Sequence, residues 1–183
     1  LDYVAWSAPT DDLSDWRYEG VIYRKDQDPY NTDFLPMYAP DVVRGRDGRY
    51  YLYYCVKFQD AIHVAVSDDP AGKYEFYGRV HYKDGRVMSD NQTYDPSVIC
   101  SGEGNFLYFG FAPCMINIPR YKDQDLQGGS VLQLEDDMLT VKEGPVVILP
   151  SLKYGKGTSF EGNEYFEGPS IRKINGKYYL IYS

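Results

Sequence analysis

Tyr38-Ala39-Pro40-Asp41-Val42-Val43, running on to Asp47-Gly48-Arg49-Tyr50-Tyr51-Leu52, decides the fold because the chain repeats its outline. Tyr94-Asp95-Pro96-Ser97-Val98-Ile99 leads to Gly104-Asn105-Phe106-Leu107, and Glu167-Gly168-Pro169-Ser170-Ile171 leads to Asn175-Gly176-Lys177-Tyr178-Tyr179-Leu180. Each copy reads as a proline at the mouth of a strand, the strand itself, a tight turn and an aromatic strand. Asp47-Gly48 and Asn175-Gly176 supply the residue types that a two-residue hairpin needs at positive φ, while the middle copy uses Gly102-Glu103-Gly104-Asn105. From proline to aromatic strand the offset is 10 residues in the first two copies and 9 in the third. A β-sandwich with coincidental hairpins does not account for that regularity.

Outward from these copies the pattern continues. Successive prolines stand 56 and 73 residues apart (Pro40 to Pro96, Pro96 to Pro169), which suits propeller blades of ~40–50 residues with extended loops. Further strands are expected at 62–66 and 74–80 in the first interval, and at 130–134 and 146–149 in the second. Apolar residues at helical spacing are almost absent. Near the start, Tyr3-Val4-Ala5-Trp6-Ser7 with Asp11-Asp12 is the counterpart of Val64-Ala65-Val66-Ser67-Asp68-Asp69, the outer half of a repeat. The expectation is an all-β propeller present as a fragment: 1–30 the end of one blade, 31–90 and 91–160 complete blades, and 161–183 the start of another. Strands must close into a ring in this architecture, so the chain reads as beginning and ending inside its domain.

Composition agrees with a packed β protein. There are 20 Tyr, 8 Phe and 2 Trp among 183 residues, and aromatic residues favour strands; most are expected to fill the space between sheets. The net charge of −8 argues against nucleic acid and against an anionic membrane surface. The most apolar stretch, 106–118, is broken by Gly110, Pro113 and Asn117 and is too short to span a bilayer. No signal peptide is apparent, so cytoplasmic and exported locations are both open. Cys55, Cys100 and Cys114 lack metal-site spacing and read as buried free thiols. His63 and His81 are the only histidines, which excludes a His-based zinc site and a Ser-His-Asp triad.

In a propeller the first strand of every blade lines the central channel, so residues at its mouth face a common cavity. The copies open on Tyr38-Ala39-Pro40, Tyr94-Asp95-Pro96 and Phe166-Glu167-Gly168-Pro169, which places Asp95 and Glu167 at the equivalent mouth. Paired carboxyl groups push their pKa values apart, the arrangement that acid–base chemistry needs. Tyr38, Tyr94, Phe34 and Phe111 are candidate platforms for the apolar face of a sugar, and Asn91 and Gln92 candidates for its hydroxyls. Phe166, by strand alternation, faces away from Glu167 into the core. The same alternation turns Asp41, one residue after its proline, away from the axis, where a structural role bonding backbone is expected.

The segments Tyr38-Ala39-Pro40-Asp41-Val42, Tyr94-Asp95-Pro96-Ser97-Val98 and Phe166-Glu167-Gly168-Pro169-Ser170-Ile171-Arg172-Lys173 resemble the blade motifs of family 43 of the glycoside hydrolases. The resemblance runs through the chain and is strongest at the third copy. It implies a five-bladed β-propeller and a β-xylosidase, α-L-arabinofuranosidase or arabinanase that acts on oligosaccharide or polysaccharide with inversion. It also implies three acidic residues: a general acid matching Glu167, an Asp that tunes and orients the acid matching Asp95, and a general base on the first strand of the first blade. That base would lie before Leu1; Asp11, Asp12 and Asp15 sit in an outer turn and do not match its motif. A chain confined to 1–183 would then lack catalysis of its own. No cofactor is implied for the chemistry, and a structural calcium ion in the intact channel would involve a His of a later blade.

Two other readings compete. Fructan hydrolases and mannoside phosphorylases are also five-bladed and sugar-active, but use other blade motifs. A non-catalytic carbohydrate-binding or protein-binding propeller would leave the acids incidental, and the lack of a Trp-Asp repeat signature weakens the protein-scaffold version.

Overall fold

The structure, a computed structural model, describes residues 2–89, 92–113, 121 and 124–183. Its strands follow one another as antiparallel neighbours throughout. β1 (Tyr3–Ser7) pairs with β2 (Arg17–Tyr23). Next, β3 (Met37–Arg44), β4 (Tyr50–Val56), β5 (Ile62–Ser67) and β6 (Glu75–Arg79) make a four-stranded meander. A second meander holds β7 (Ser97–Ser101), β8 (Gly104–Phe109), β9 (Gly128–Leu134) and β10 (Val141–Pro150). β11 (Ser170–Ile174) and β12 (Lys177–Ile181) form the last pair. Two complete propeller blades are thus flanked by two half-blades, the all-β architecture that the repeat predicts. Helical elements among the described residues include a 3-10 turn at Lys25–Gln27 and one short α-helix, α1, at Leu152–Gly155.

Packing follows from the period of two. In β4, Tyr51 and Tyr53 turn toward Val98, Leu107, Phe109 and Leu132 of the next blade, while Leu52, Tyr54 and Val56 turn toward Ile22 and Tyr23 of the preceding half-blade. A strand buried on both faces reads as an unbroken apolar run, which is why residues 50–56 show no alternation in sequence. A buried tyrosine removes roughly 150–250 Å² from water, about 4–6 kcal/mol of gross stabilisation at 25 cal/mol per Å². The blade interfaces, more than any surface contact, therefore hold the sheets face to face. Tyrosine hydroxyls inside them are satisfied: Tyr53 donates to Met138 O at 2.6 Å, and Tyr54 to Asp28 Oδ2 at 2.7 Å.

Asp28 also meets His63 Nδ1 at 2.7 Å, both side chains fully buried. Burial pushes the Asp28 carboxyl up, but bonds from His63, Tyr54 and the Tyr30 amide outweigh it and hold the group below the usual carboxylate range. His63 is thus committed to the seam between half-blade and blade. Cys55 is buried and Cys100 half-buried, both free thiols; Cys114 lies outside the described residues.

Two of the three turns depart from their expected form. In the middle copy Gly102-Glu103 alone connects the strands, with Gly104 and Asn105 already in β8 and paired to Ser101 and Cys100. Asn175 and Gly176 sit at positive φ, 51° and 76°, between paired residues Ile174 and Lys177, as a two-residue hairpin requires. Between β3 and β4 the loop is longer: Gly45 N–H donates to Arg49 O at 2.8 Å, and of Asp47-Gly48 only Gly48 has positive φ. Asp47 instead accepts from Arg49 and Tyr51, which needs the wider turn.

The mouths bring a correction. The residue before each proline is left-handed in all three copies: Ala39 at φ 49°, Asp95 at 53° and Gly168 at 65°. Asp95 is therefore equivalent to Ala39 and Gly168, whereas Glu167 is equivalent to Tyr38 and Tyr94. The two carboxylates share a mouth but stand one residue apart in the repeat. The left-handed residue bulges the strand, seen as a register shift between Tyr38 and Asp41. That bulge breaks the alternation, so Asp41 faces the space between the inner strands with Ser97, Ser170 and Arg172 instead of turning away from it.

Candidate active site

The left-handed residue turns the chain at the mouth of each inner strand, and the three mouths surround a cavity of about 440 Å³. Five residues singled out from sequence border it: Tyr38, Tyr94, Asp95, Phe111 and Glu167. Phe34 does not; it is exposed in the turn where its N–H donates to Asn31 O at 3.1 Å. Gln92 lies off the wall with its amide on Gln124, and Asn91 falls outside the described residues. Phe166 packs behind the wall against Phe111, ring centroids 5.7 Å apart. Phe111 is the hub of the aromatic side, edge-on to Tyr94 at 6.0 Å and to Tyr121 at 5.5 Å.

Asp95 Oδ2 accepts the Gly168 N–H at 3.2 Å, so the carboxylate of one blade is tied to the backbone beside the carboxylate of the next. Burial, and then the charge of Glu167, raise Asp95 to about 6, with the Gly168 bond pulling the other way. Glu167 is set from its backbone. Its N–H and that of Phe166 donate to Ser183 O at 3.0 and 2.6 Å, and its carbonyl accepts the Ser183 N–H at 3.0 Å. Tyr165, whose hydroxyl donates to Gly110 O at 2.8 Å, feels both acids: burial raises its phenol first, and the charges of Asp95 and Glu167 add to that. Cys55 lies on the buried side, its thiol raised by burial and then by Asp95. Two carboxyl groups that border one cavity beside a buried tyrosine place acid–base groups of different environment in a single space.

Sequence reasoning missed Lys57, Phe58, Tyr121 and Ser183 on the same wall. For three of them a signal existed. Inner and second strands are antiparallel, so the end of the second strand returns to the mouth of the first. Lys57-Phe58 follows β4 and Ser183 follows β12, as Phe111 follows β8.

Among the described residues no group of three or more His, Cys, Asp or Glu could hold a metal ion. Asp41, the acid between the inner strands, has Oδ2 engaged by Val98 N and Ser97 Oγ and Oδ1 at 3.9 Å from Arg172. These residues alone do not fit a calcium ion. No helix among the described residues is long and apolar enough to cross a membrane.

Comparison with known proteins bears directly on this site. The profile of Glycosyl hydrolases family 43 matches residues 6–183. A xylosidase/arabinosidase of Thermoclostridium stercorarium is 52% identical over 187 residues, covering 100% of this chain and 38% of that protein. A GH43 β-xylosidase/α-arabinofuranosidase from a compost microbial metagenome, solved with xylotriose in a calcium-free form, superposes with a TM-score of 0.71 at 25% identity, covering 100% of this chain and 58% of that one. A GH43_1 enzyme from Xanthomonas citri, solved with xylose, gives a TM-score of 0.64 at 26% identity over 92% of this chain and 54% of that one. The chain thus spans between about two fifths and three fifths of the length of these three relatives.

Proposed function

The chain belongs to family 43 of the glycosyl hydrolases, and on that premise we propose that the protein hydrolyses xylosyl or arabinofuranosyl linkages in plant-type polysaccharide fragments with inversion. Glu167 is the general acid and Asp95 the neighbour that tunes and orients it. The observation that carries this reading is the sharing of one cavity by the two carboxylates, with Asp95 Oδ2 bonded to the Gly168 N–H beside Glu167.

In this mechanism the aromatic side formed by Tyr94 and Phe111 covers the apolar face of the sugar and excludes water. Glu167 gives its proton to the glycosidic oxygen as the bond to the anomeric carbon breaks. Asp95, bonded to Gly168 N–H, holds the backbone beside Glu167 and so orients the acid toward the glycosidic oxygen. The general base is not assigned to any described residue. The family resemblance puts it on the inner strand of the blade whose outer half is β1 and β2, and inversion requires it ~6.5–9.5 Å from the acid with a water between. The xylose and xylotriose bound to the two structural relatives support a pentosyl substrate.

The test is Glu167→Ala in the whole protein that carries this chain. Hydrolysis of xylobiose should fall by about 10²–10⁴, while dinitrophenyl β-xyloside, whose leaving group needs no proton, should keep most of its rate. An equal loss on both substrates would remove Glu167 from the acid role.

A further inference from the structure

We propose that Asp41 and Ser97 are positioning residues, forming a side-chain relay across the three inner strands that sets how Asp95 and Glu167 face each other. The inference rests on the acid pair proposed above and adds the device that aligns it.

β3, β7 and β11 are each the edge strand of their sheet, so N–H groups on their open side have no strand to pair with. Two of those groups are closed by side chains of the preceding copy. Asp41 Oδ2 accepts the Val98 N–H at 2.8 Å, and Ser97 Oγ accepts the Ile171 N–H at 3.2 Å. The relation is the same each time. The acceptor is the first residue after the proline of one copy, and the donor is the second residue after the proline of the next. The two bonds join into a line, because Ser97 Oγ also donates to Asp41 Oδ2 at 3.1 Å. Arg172 completes the line, with NH1 on Ile171 O at 2.6 Å and NH2 3.9 Å from Asp41 Oδ1.

This line reaches the acids through very little chain. Ser97 is two residues after Asp95, and Ile171 is four after Glu167. Ser97 and Ile171 are 3% and 2% exposed, so water does not replace the bond between them. Residue 97 must donate to Asp41 and accept from Ile171 at once, which a hydroxyl does and a methyl does not. Without it the mouths of β7 and β11 lose their shared peg, and the Asp95 to Gly168 contact is left to hold the spacing alone. Misplacement of a reacting group by about 1 Å costs on the order of 10²-fold in rate.

The experiment compares Ser97→Ala, Ser97→Thr and Asp41→Asn with Glu167→Ala, in the whole protein, on xylobiose and on dinitrophenyl β-xyloside. Ser97→Ala should lower kcat on xylobiose by about 10- to 100-fold, with KM changed by less than about threefold and the activated substrate nearly spared. Ser97→Thr, which keeps the hydroxyl, should restore the rate. Asp41→Asn keeps an acceptor for Val98 but not the charge opposite Ser97, so a smaller loss of the same pattern is expected; it decides the question if Ser97→Ala does not fold. Equal losses on both substrates, a wild-type profile in folded Asp41→Asn, or no recovery with threonine would overturn the relay. If Glu167→Ala discriminates between the substrates while the relay variants do not, the relay fails alone; if Glu167→Ala also shows no discrimination, the acid assignment fails with it.

Discussion

Ala39 at the mouth of β3 and Asp95 at the mouth of β7 have the same backbone: each precedes a proline, each is left-handed, and each borders the cavity. One carries a methyl group and the other a carboxyl held up to about 6. A left-handed non-glycine residue costs about 1–2 kcal/mol, and such strain gathers at functional sites. Here the strain occurs equally where there is no chemistry. The left-handed residue is thus a property of the blade mouth, and the acid uses a direction that the repeat already provides. At β11 the same position is Gly168, which adopts that φ freely, and the carboxylate has moved one residue back to Glu167. One backbone solution carries three different side-chain choices.

Making the β7 mouth chemically like that of β3 is the sharpest way to test this division. Asp95→Ala should fold, since alanine already occupies the equivalent backbone, yet activity on xylobiose should fall by about 10²- to 10³-fold. Circular dichroism and thermal unfolding alongside the rate would check both halves. Collapse of the fold would mean that the carboxylate, not the repeat, holds the left-handed turn.

A smaller effect separates the charge of Asp95 from its shape. Its folded pKa of about 6 lies above the ordinary value of 3.8, so the folded protein binds the proton more tightly than the unfolded one. The stabilisation linked to that proton is full below about pH 4 and is lost as pH rises through about 6. Asparagine mimics the neutral form at every pH and keeps an acceptor for Gly168 N–H. Asp95→Asn should therefore match the parent near pH 4 and exceed it by about 1 kcal/mol at pH 8, the shift being discounted for a half-buried group. A gain that is the same at both pH values would show that the residue acts through its backbone preference alone.

The blades were legible because each strand pair carries its own punctuation: a proline, a turn, and an aromatic run at a fixed offset. Asp95 and Glu167 were legible as neighbours because the repeat brings its mouths together. Their offset of one residue is written in the spacing to the proline, Asp95 one before Pro96 and Glu167 two before Pro169, but the left-handed backbone is not; Ala39 before Pro40 looks like any extended dipeptide. For the same reason the direction of Asp41 was misread, alternation being counted through a residue that breaks it. Phe34, a candidate sugar platform by residue type, is carried elsewhere by the turn at Asn31, whose side chain bonds both the N–H and the carbonyl of Leu35. Lys57 and Ser183 needed only the rule that antiparallel strands return to the mouth.

The least disruptive test relieves the strain where no chemistry depends on it. Ala39→Gly removes the clash of a Cβ with a left-handed backbone, a gain of about 1 kcal/mol. It also gives the unfolded chain more freedom, which takes back roughly half of that. The net expectation is a stabilisation of about 0.5 kcal/mol by urea unfolding, with rates on both substrates unchanged. If the loosened mouth instead costs activity, the strain at β3 contributes to the site through Tyr38, and the two mouths differ less in function than their side chains suggest.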